Sequence, residues 1–589
     1  MKGSQYVAKF LKAVGADNVF LVQGGACAFM VDAVAQEPGM KYTCFQHEQA
    51  AAMAADALWR TTGQLGVTFC TSGPGASNLV TGIACGYYDS IPSLHITGQV
   101  NYEEQRLYRN APVRQAGFQQ MDIVSMVKPV SKYSVAVTNH EEMRHELKRA
   151  VEQAYHGRMG PVVVDVPMNL QNAEMDNDEL LLPDIEYSVD TGIDTTDLAN
   201  KIQQFLNESN RPLVVFGAGV GLADSHGTLE QWLNRNDIPF VSTWASLNYF
   251  NHDTPNYIGH FGVYGNRGGN FAIQNADNIL VLGSRLDNRQ RSGNPANFAP
   301  HAKVFVVDLD PAELEKLDPD RYQHQVQFDL RNLPSVLQKI EPQAIDSTWA
   351  DYLQMLKSKY FNKDTSGYSQ THGTMSPYLV VQRLQELADD DAIITTDAGA
   401  NHCWVYQSFY KNSNQLLMTS SGHYAMGYAL PASIGAALVA PGRQQICSNG
   451  ECGIQMNLQE LQTVKEYDLD IKVVIFNNSG MGMIKQFQDT YMAGRYSATA
   501  PSPQGGPGRP DFALIAKAFD FDYVCVESLD QVTADLLRPG RRIIEIIIDQ
   551  GTQIEPKLEM GRPINDQSPL VSDADFEAGN QFFSYERRR

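Results

Sequence analysis

A single unit recurs along this chain: a short apolar run, a turn carrying glycine or a polar side chain, then a helical pattern. The runs at 19–22, 42–45, 66–70, 93–97 and 161–166 read as strands of a first domain. Those at 212–216, 278–282 and 304–307 belong to a second, and those at 392–396, 415–419 and 473–476 to a third. Short strands alternating with helices need crossover connections and form parallel sheets covered by helices. The expected fold class is therefore α/β, with three doubly wound parallel-sheet domains at 1–170, 191–342 and 376–550. The length of 589 residues accommodates three such bodies. The acidic segment 171–190 reads as a linker. Residues 343–375 read as a mixed helical connector ending in the polar run 366–374, 500–510 as a loop rich in proline and glycine, and 551–589 as a polar, extended tail.

Composition narrows the function classes. A net charge of −21 argues against sustained nucleic-acid binding, because neutralising phosphates needs clustered Lys and Arg. The only basic run, at 587–589, is too short to serve. No apolar run reaches the roughly 18 residues that a membrane span needs. The start of the chain runs directly into a helical pattern, so a cytoplasmic enzyme is expected. The eight cysteines form no CxxC pair and no zinc spacing. Cys70 and Cys525, set in apolar runs, read as reduced core cysteines.

In open α/β sheets, ligands bind outside the carboxyl ends of strands. Glu451 and Asn478 each follow such an end, and together they suit a hard cation that also binds phosphate oxygens. Glu48 stands just past a strand and opens an alanine-rich helix, where backbone N–H groups favour a carboxylate. In the second domain, Gly217-Ala218-Gly219, Gly283 with Arg285, and Asp308 stand at three neighbouring strand ends. An Arg suits a diphosphate and an Asp a ribose or adenine edge. That glycine turn is not a clean GxGxxG, so alone it is weak evidence for a dinucleotide. Read on residues alone, these features also fit ordinary βαβ units with polar turns.

The motifs add a resemblance. Gly450-Glu451-Cys452 followed by Asn477-Asn478 resembles the metal–diphosphate motif of thiamine diphosphate enzymes, with Glu for Asp and Cys for the second Gly. The segments HEQAAAMAADALWRTTGQLGV, TSGPGASNLVTGIACGYYDSIPSLHITGQV and FQQMDIV resemble, in order, the first domain of acetolactate synthase (acetohydroxyacid synthase). GHFGVYGN, GSRLDNRQ and NFAPHAKVFVVDLDPAEL resemble its central domain. The resemblance covers roughly residues 1–565.

It implies the following roles. Glu48 bonds the cofactor's aminopyrimidine and drives proton transfer at the reactive carbon, which is acid–base catalysis by a positioned side chain. Gln119 contacts substrate, Phe118 is the aromatic beside it, and Gly25 lies close to the reacting centre. Ser72, Gly73 and Asn78 belong to a cofactor turn. Gly399, Ala400, Asn401 and His402 form a diphosphate loop, with Gly422 and Gly453 on the same cofactor side. Met426 wedges the cofactor into a bent shape. Mg²⁺ is held by Glu451, Asn478 and the Gly480 carbonyl. Arg289 binds the carboxylate of a second 2-ketoacid, with Met483 and Phe487 shaping that pocket. The central domain holds FAD without redox use; a degenerate domain with no nucleotide is the alternative. The tail 551–589 folds over the active site, a candidate lid, and the active site lies between two subunits, so a homodimer or homotetramer follows.

The activity implied is that of a decarboxylating carboligase joining pyruvate to a second 2-ketoacid. Departures at Gln23, Asn288, Asn401 and Phe487 leave open an aldehyde or ketosugar acceptor. Glu451 and Cys452 leave open a paralogue that binds cofactor without turnover.

Overall fold

The computed structural model describes residues 1–105, 113–322, 324–361, 375–501, 505–585 and 587. The polar run 366–374, residues 502–504 of the glycine–proline loop and residues 588–589 lie outside them. Three six-stranded sheets follow one another, and every strand pair within them is parallel. The first contains β1 (Asn18–Leu21), β2 (Lys41–Cys44), β3 (Gly66–Cys70), β4 (Ser93–Gln99), β5 (Tyr133–Ala136) and β6 (Val162–Pro167), in the order β2-β1-β3-β4-β6-β5. The second contains β7 (Pro212–Phe216), β8 (Phe240–Ser242), β9 (Tyr257–His260), β10 (Asn278–Leu282), β11 (Lys303–Asp308) and β12 (His324–Gln327), in the order β12-β11-β10-β7-β8-β9. The third contains β13 (Ile393–Thr396), β14 (Leu416–Met418), β15 (Gln445–Gly450), β16 (Ile471–Asn477), β17 (Asp522–Val526) and β18 (Arg542–Ile547), in the order β14-β13-β15-β16-β18-β17.

In each sheet the chain lays strands first to one side and then to the other, switching between β1 and β3, between β7 and β10, and between β13 and β15. Crossovers leave in opposite directions at these points and open a crevice, where ligands of such sheets bind. The central strands are buried on both faces, so their side chains read as continuous apolar runs rather than alternating ones.

The first and third domains pack through two helices, Glu48–Thr62 and Ala429–Val439. Both are rich in small residues, which lets the backbones approach. A Cβ on Gly435 would stand 2.4 Å from the Ala54 carbonyl oxygen.

Two expectations are corrected, the extended tail and the core placement of Cys525. The tail is not extended. It carries the helix Asp573–Gly579, and Phe576, Phe582 and Tyr585 pack on the second domain's core. Tyr352 Oη and Asn275 Nδ2 both donate to the Gly579 carbonyl, at 2.7 and 3.0 Å. The connector helix Ser347–Tyr360 also belongs to that core, through Trp349 and Tyr352. After β15 the chain makes two 3₁₀ turns, Ile454–Met456 and Leu458–Glu460, before the helix Leu461–Glu466. Asn457 turns the chain there by donating 2.7 Å to the Gly427 carbonyl. Cys525 is exposed rather than core, because β17 is an edge strand.

Candidate functional site

The reversal point of the first sheet gathers four segments. Glu48 begins the helix that follows β2, and it is 7% exposed. His47 Nδ1 caps that helix by accepting from Gln49 N at 3.1 Å. Asn78 Nδ2 donates to Glu48 Oε2 at 2.9 Å, so one carboxylate oxygen is fixed from the turn after β3. Gly75 of that turn has no room for a side chain: a Cβ would meet Glu48 Oε1 at 3.0 Å. The turn after β1 is tied to the same place by Ala26 N donating to Thr71 Oγ1 at 3.2 Å. Gly25 projects from it, exposed, with nothing within 4 Å of where its Cβ would be. Gly73 has φ +61, and a Cβ there would strike the Gln119 carbonyl at 2.5 Å. The structure thus brings Gly25, Glu48, Ser72, Gly73, Asn78 and Gln119 together. Phe118 is not packed among them: its side chain stands 84% exposed.

The reversal point of the third sheet gathers the candidate cation ligands. Gly480 N donates to Glu451 Oε1. One edge of the Asn478 amide lies 2.8 Å from the Gly480 carbonyl oxygen and 3.2 Å from Glu451 Oε1. With nitrogen on that edge, the amide donates to both. With oxygen there, a carboxylate, an amide and a carbonyl oxygen converge, which is the donor set Mg²⁺ prefers. Burial pushes the Glu451 carboxyl up, against the pull of the Gly480 N–H. A dication would offset that desolvation, so these residues fit one. Arg509 stands beside them, with Nη1 3.0 Å from Ser479 Oγ and 3.3 Å from Asn477 Oδ1. Gly399 and Gly450 leave space around Asn401 Oδ1, which their Cβ atoms would approach to 3.1 and 3.5 Å. Asn401 Nδ2 is held by the Asp397 carbonyl at 3.1 Å. Ala400 lies 3.6 Å from the Cβ position of Gly482, one residue before Met483.

Beneath this turn Asp397 Oδ1 accepts from Tyr428 N at 3.0 Å, while Oδ2 is buried with no partner among the described residues. Burial pushes its carboxyl up to about 7, opposed by backbone N–H groups at 398 and 427–429. A Cβ on Gly453 would lie 2.0 Å from that oxygen. The Met426 segment hangs from the first domain, where Asp89 accepts from Ser421 N at 2.8 Å and from Gly422 N at 2.6 Å.

A cleft of about 710 Å³ runs between the three domains. At its floor is the reversal point of the second sheet, where Gly219 N donates 2.9 Å to the Gly283 carbonyl. A Cβ on Gly217 would lie 2.2 Å from that oxygen, so glycine is what lets the two loops touch. Ala218, Gly219, Gly283, Arg285 and Asp308 all line the cleft, with Gly422 on the opposite wall. Its size and glycine-lined floor fit a dinucleotide. Arg285 Nη1 donates to the Tyr88 carbonyl at 3.3 Å and Nε lies 3.4 Å from Asp287.

His402 departs from its expected place. Instead of facing the diphosphate turn it lines this cleft, stacked on Tyr406 at 4.3 Å and beside Trp244 at 5.2 Å. It is on the first turn of the helix Ala400–Ser408, and the helical rotation carries it to the other side from Ala400 and Asn401. Arg289 stands exposed at the same end, its guanidinium 5.4 Å from the Tyr264 ring and 5.6 Å from the Tyr424 ring. Phe487 reaches this region through Tyr491, ring to ring at 4.8 Å.

Three groups went unread in the sequence. Arg158 enters the cleft from the first domain and pairs with Asp310 at 2.6 Å and Glu313 at 3.0 Å. Arg331 lines it from the second. Asp397 underlies the cation turn. The Gly-Arg-Met-Gly turn at 157–160 was the available signal for Arg158; nothing local marks Arg331.

Comparison with known proteins agrees with this geometry. Models for the N-terminal, central and C-terminal domains of thiamine pyrophosphate enzymes match residues 1–126, 199–337 and 397–539. The chain is 32% identical to the acetolactate synthase isozyme 2 large subunit of Escherichia coli K12, over 95% of this chain and 98% of that protein. It is 31% identical to the acetolactate synthase large subunit of Lactococcus lactis, over 95% and 94%. To the chloroplastic acetolactate synthase 1 of Zea mays it is 31% identical, over 98% and 89%. With all three domain types in order and near full-length similarity to these synthases, the chain belongs to the thiamine pyrophosphate enzyme family.

Proposed function

We propose that this protein is a decarboxylating carboligase of the acetolactate synthase type. It takes pyruvate as donor and a second 2-ketoacid as acceptor. The donor loses CO₂, its carbonyl carbon is joined to that of the acceptor, and the acceptor oxygen takes up one proton. Thiamine diphosphate supplies, when bound, the electron sink for decarboxylation and the carbon nucleophile.

The chain's own residues do the rest. Glu48, held by Asn78, exchanges a proton with the cofactor's pyrimidine nitrogen. Gln119 and Gly25 orient the donor above it. Glu451, Asn478 and the Gly480 carbonyl hold Mg²⁺, with Gly399, Ala400, Asn401, Gly450, Cys452 and Gly453 shaping the diphosphate cradle. Met426 would pack against the cofactor. The three-domain cleft holds FAD as a structural group, with Gly219, Gly283, Arg285 and Asp308 in contact.

The acceptor assignment is carried by Arg289: a guanidinium open to the cleft, flanked by two aromatic rings and with no carboxylate at ion-pair distance among the described residues. Such a group suits a carboxylate. Met483 and Phe487 form the apolar side. Glu48 is bonded inside the first domain and Glu451 inside the third. The exposed Phe118 beside Gln119 supports completion of each site by a second subunit, in a homodimer or homotetramer.

The test is acetolactate formation from pyruvate with thiamine diphosphate, Mg²⁺ and FAD, with Glu48→Gln as control. Product that vanishes in the control is expected. CO₂ release only when an aldehyde or ketosugar is added would replace the acceptor. No CO₂ release at all would refute pyruvate as donor.

A further inference from the structure

Glu48 opens its helix at the end of the loop 45–47, which leaves β2. That strand is the edge of the first sheet and pairs only with β1. Their register ends at Leu21 and Cys44, and the last tie is Phe45 N, which donates to the Leu21 carbonyl at 2.8 Å. Beyond Phe45 no strand remains beside Gln46 and His47. Yet His47 sets where the helix begins. Its carbonyl accepts from Ala50 N and Ala51 N at 3.1 and 3.2 Å, and its ring accepts from Gln49 N. The position of Glu48 therefore depends on a loop that its own sheet does not hold.

The third domain holds it instead. Tyr467 Oη accepts from Cys44 N at 2.7 Å. Glu460 takes the Gln46 N–H on both oxygens, 3.1 Å from Oε1 and 3.3 Å from Oε2. Thr463 Oγ1 donates to Oε2 at 2.6 Å and so fixes the carboxylate's orientation. Phe45 packs with Ile454, Leu461 and Val464 of the same segment. Glu460 and Thr463 are both fully buried. Burial pushes the Glu460 carboxyl up, and the Thr463 hydroxyl and the N–H groups of Gln46 and His47 oppose it. An interior carboxylate is costly unless donors surround it, and each of these neighbours is a donor. The segment also begins at the candidate cation turn, because two 3₁₀ turns lead from Glu451 to Glu460. Between them Asn457 Nδ2 donates to the carbonyl of Gly427, the neighbour of Met426.

We propose that Glu460 is a positioning residue for proton transfer: from the third domain it fixes the Gln46–His47 loop and so aims Glu48 of the first. It touches neither substrate nor cofactor and acts through Glu48. A carboxylate suits the task because both of its oxygens accept. An amide in its place presents one N–H edge to groups that are themselves donors. The inference rests on the proton-transfer role given to Glu48 above and adds the group that holds Glu48 in place.

The test uses the full chain. Without cofactor, amide hydrogen exchange in Glu460→Gln should quicken roughly tenfold or more at Gln46 and His47, with the strands of the three sheets unchanged. With thiamine diphosphate and Mg²⁺ but no ketoacid, loss of the proton on the cofactor's reactive carbon to deuterated water is followed by NMR after acid quench. Glu460→Gln slows that exchange roughly ten- to hundredfold, as a misplaced base does, at unchanged cofactor and Mg²⁺ affinity. In a Glu48→Gln background the same substitution has no further effect, because no base is left to misplace. Thr463→Val removes the orienting hydroxyl, keeps the shape and gives the same pattern on a smaller scale, so the test stands even if Glu460→Gln does not fold. Carbon exchange that is not slowed in Glu460→Gln overturns the inference, as do losses that multiply in the double variant. Uniform acceleration of amide exchange together with weakened cofactor binding also overturns it, assigning Glu460 to general packing. Undiminished carbon exchange in Glu48→Gln refutes both the inference and the role of Glu48. Glu460-dependent carbon exchange without carboligation from any acceptor supports the inference and refutes the carboligase reading, so the two failures are distinguishable.

Discussion

Arg60→Met tests how the first domain positions the Met426 segment of the third. Arg60 Nε lies 2.8 Å from Asp56, and Nη2 lies 2.7 Å from Asp89. Asp56 also accepts from the Tyr428 hydroxyl, and Asp89 holds Ser421 N and Gly422 N. The side chains of Asp56 and Asp89 are only 1% and 8% exposed. Removing the shared cation leaves two buried carboxylates without a counter-charge, a change that costs about 3–5 kcal/mol. Methionine preserves most of the volume, so packing contributes little. Asp56 is already pushed up from the ordinary carboxylate value by burial, with Arg60 opposing. Without Arg60 its folded pKa rises further above the unfolded one. That contribution to stability is present below the unfolded pKa and lost as pH rises through the folded one. The variant's deficit should therefore grow as pH rises above the ordinary carboxylate range. Hydrogen exchange at Ser421 and Gly422 provides the local readout, with exchange expected to accelerate roughly a hundredfold at neutral pH, about 3 kcal/mol. Urea unfolding gives the global value. A deficit below about 1 kcal/mol, or one independent of pH, would refute the reasoning.

The remaining predictions concern the site and the core. Glu48→Gln should lower turnover by roughly 10²–10⁴ while leaving Mg²⁺ affinity unchanged by calorimetry; a smaller loss removes Glu48 from proton transfer. Gly453→Ala should destabilise the cation turn by about 1–3 kcal/mol, because its Cβ would sit 2.0 Å from Asp397 Oδ2; unaltered cofactor affinity would show that Asp397 can yield. Asn478→Ala should weaken Mg²⁺ binding by at least roughly tenfold in a metal titration. Acid should destabilise the fold through buried neutral histidines. His95, between Thr68 Oγ1 at 2.8 Å and Ser93 Oγ at 2.9 Å, is lowered to about 3 by burial. His252 is also lowered to about 3 by burial. Their folded values lie below the unfolded one, so the stability they contribute is present above about pH 6.5 and lost as pH falls towards 3. Each costs about 2 kcal/mol by pH 5. Asp397 and Glu460, both pushed up to about 7 by burial, act in the opposite sense, losing their contribution as pH rises through 7. His95→Gln should flatten the acid limb of a urea-midpoint profile by about one proton.

The local order of the chain determined the fold class. Apolar runs such as 66–70 and 473–476 are buried on both faces and followed by helices, which leaves parallel sheets as the way to satisfy their backbones. It also marked the turns proposed to bear ligands, because Glu48, Gly73, Gly283, Glu451 and Asn478 lie just beyond strand ends, and the carboxyl ends of parallel strands share one edge. What the sequence could not decide depends on groups distant along the chain. His402 faces the arginine end of the cleft because of the helix's rotation, not its place in a loop. The tail folds on the second domain because Phe576, Phe582 and Tyr585 find apolar surface there, although their spacing forms no long pattern. Arg60 and Asp89 join two domains through a segment more than 300 residues away. Glu460 of the third domain meets the loop before Glu48 in the first. Local periodicity records which elements form and where their ends lie. Tertiary packing alone decides which buried charges those ends bring into one pocket.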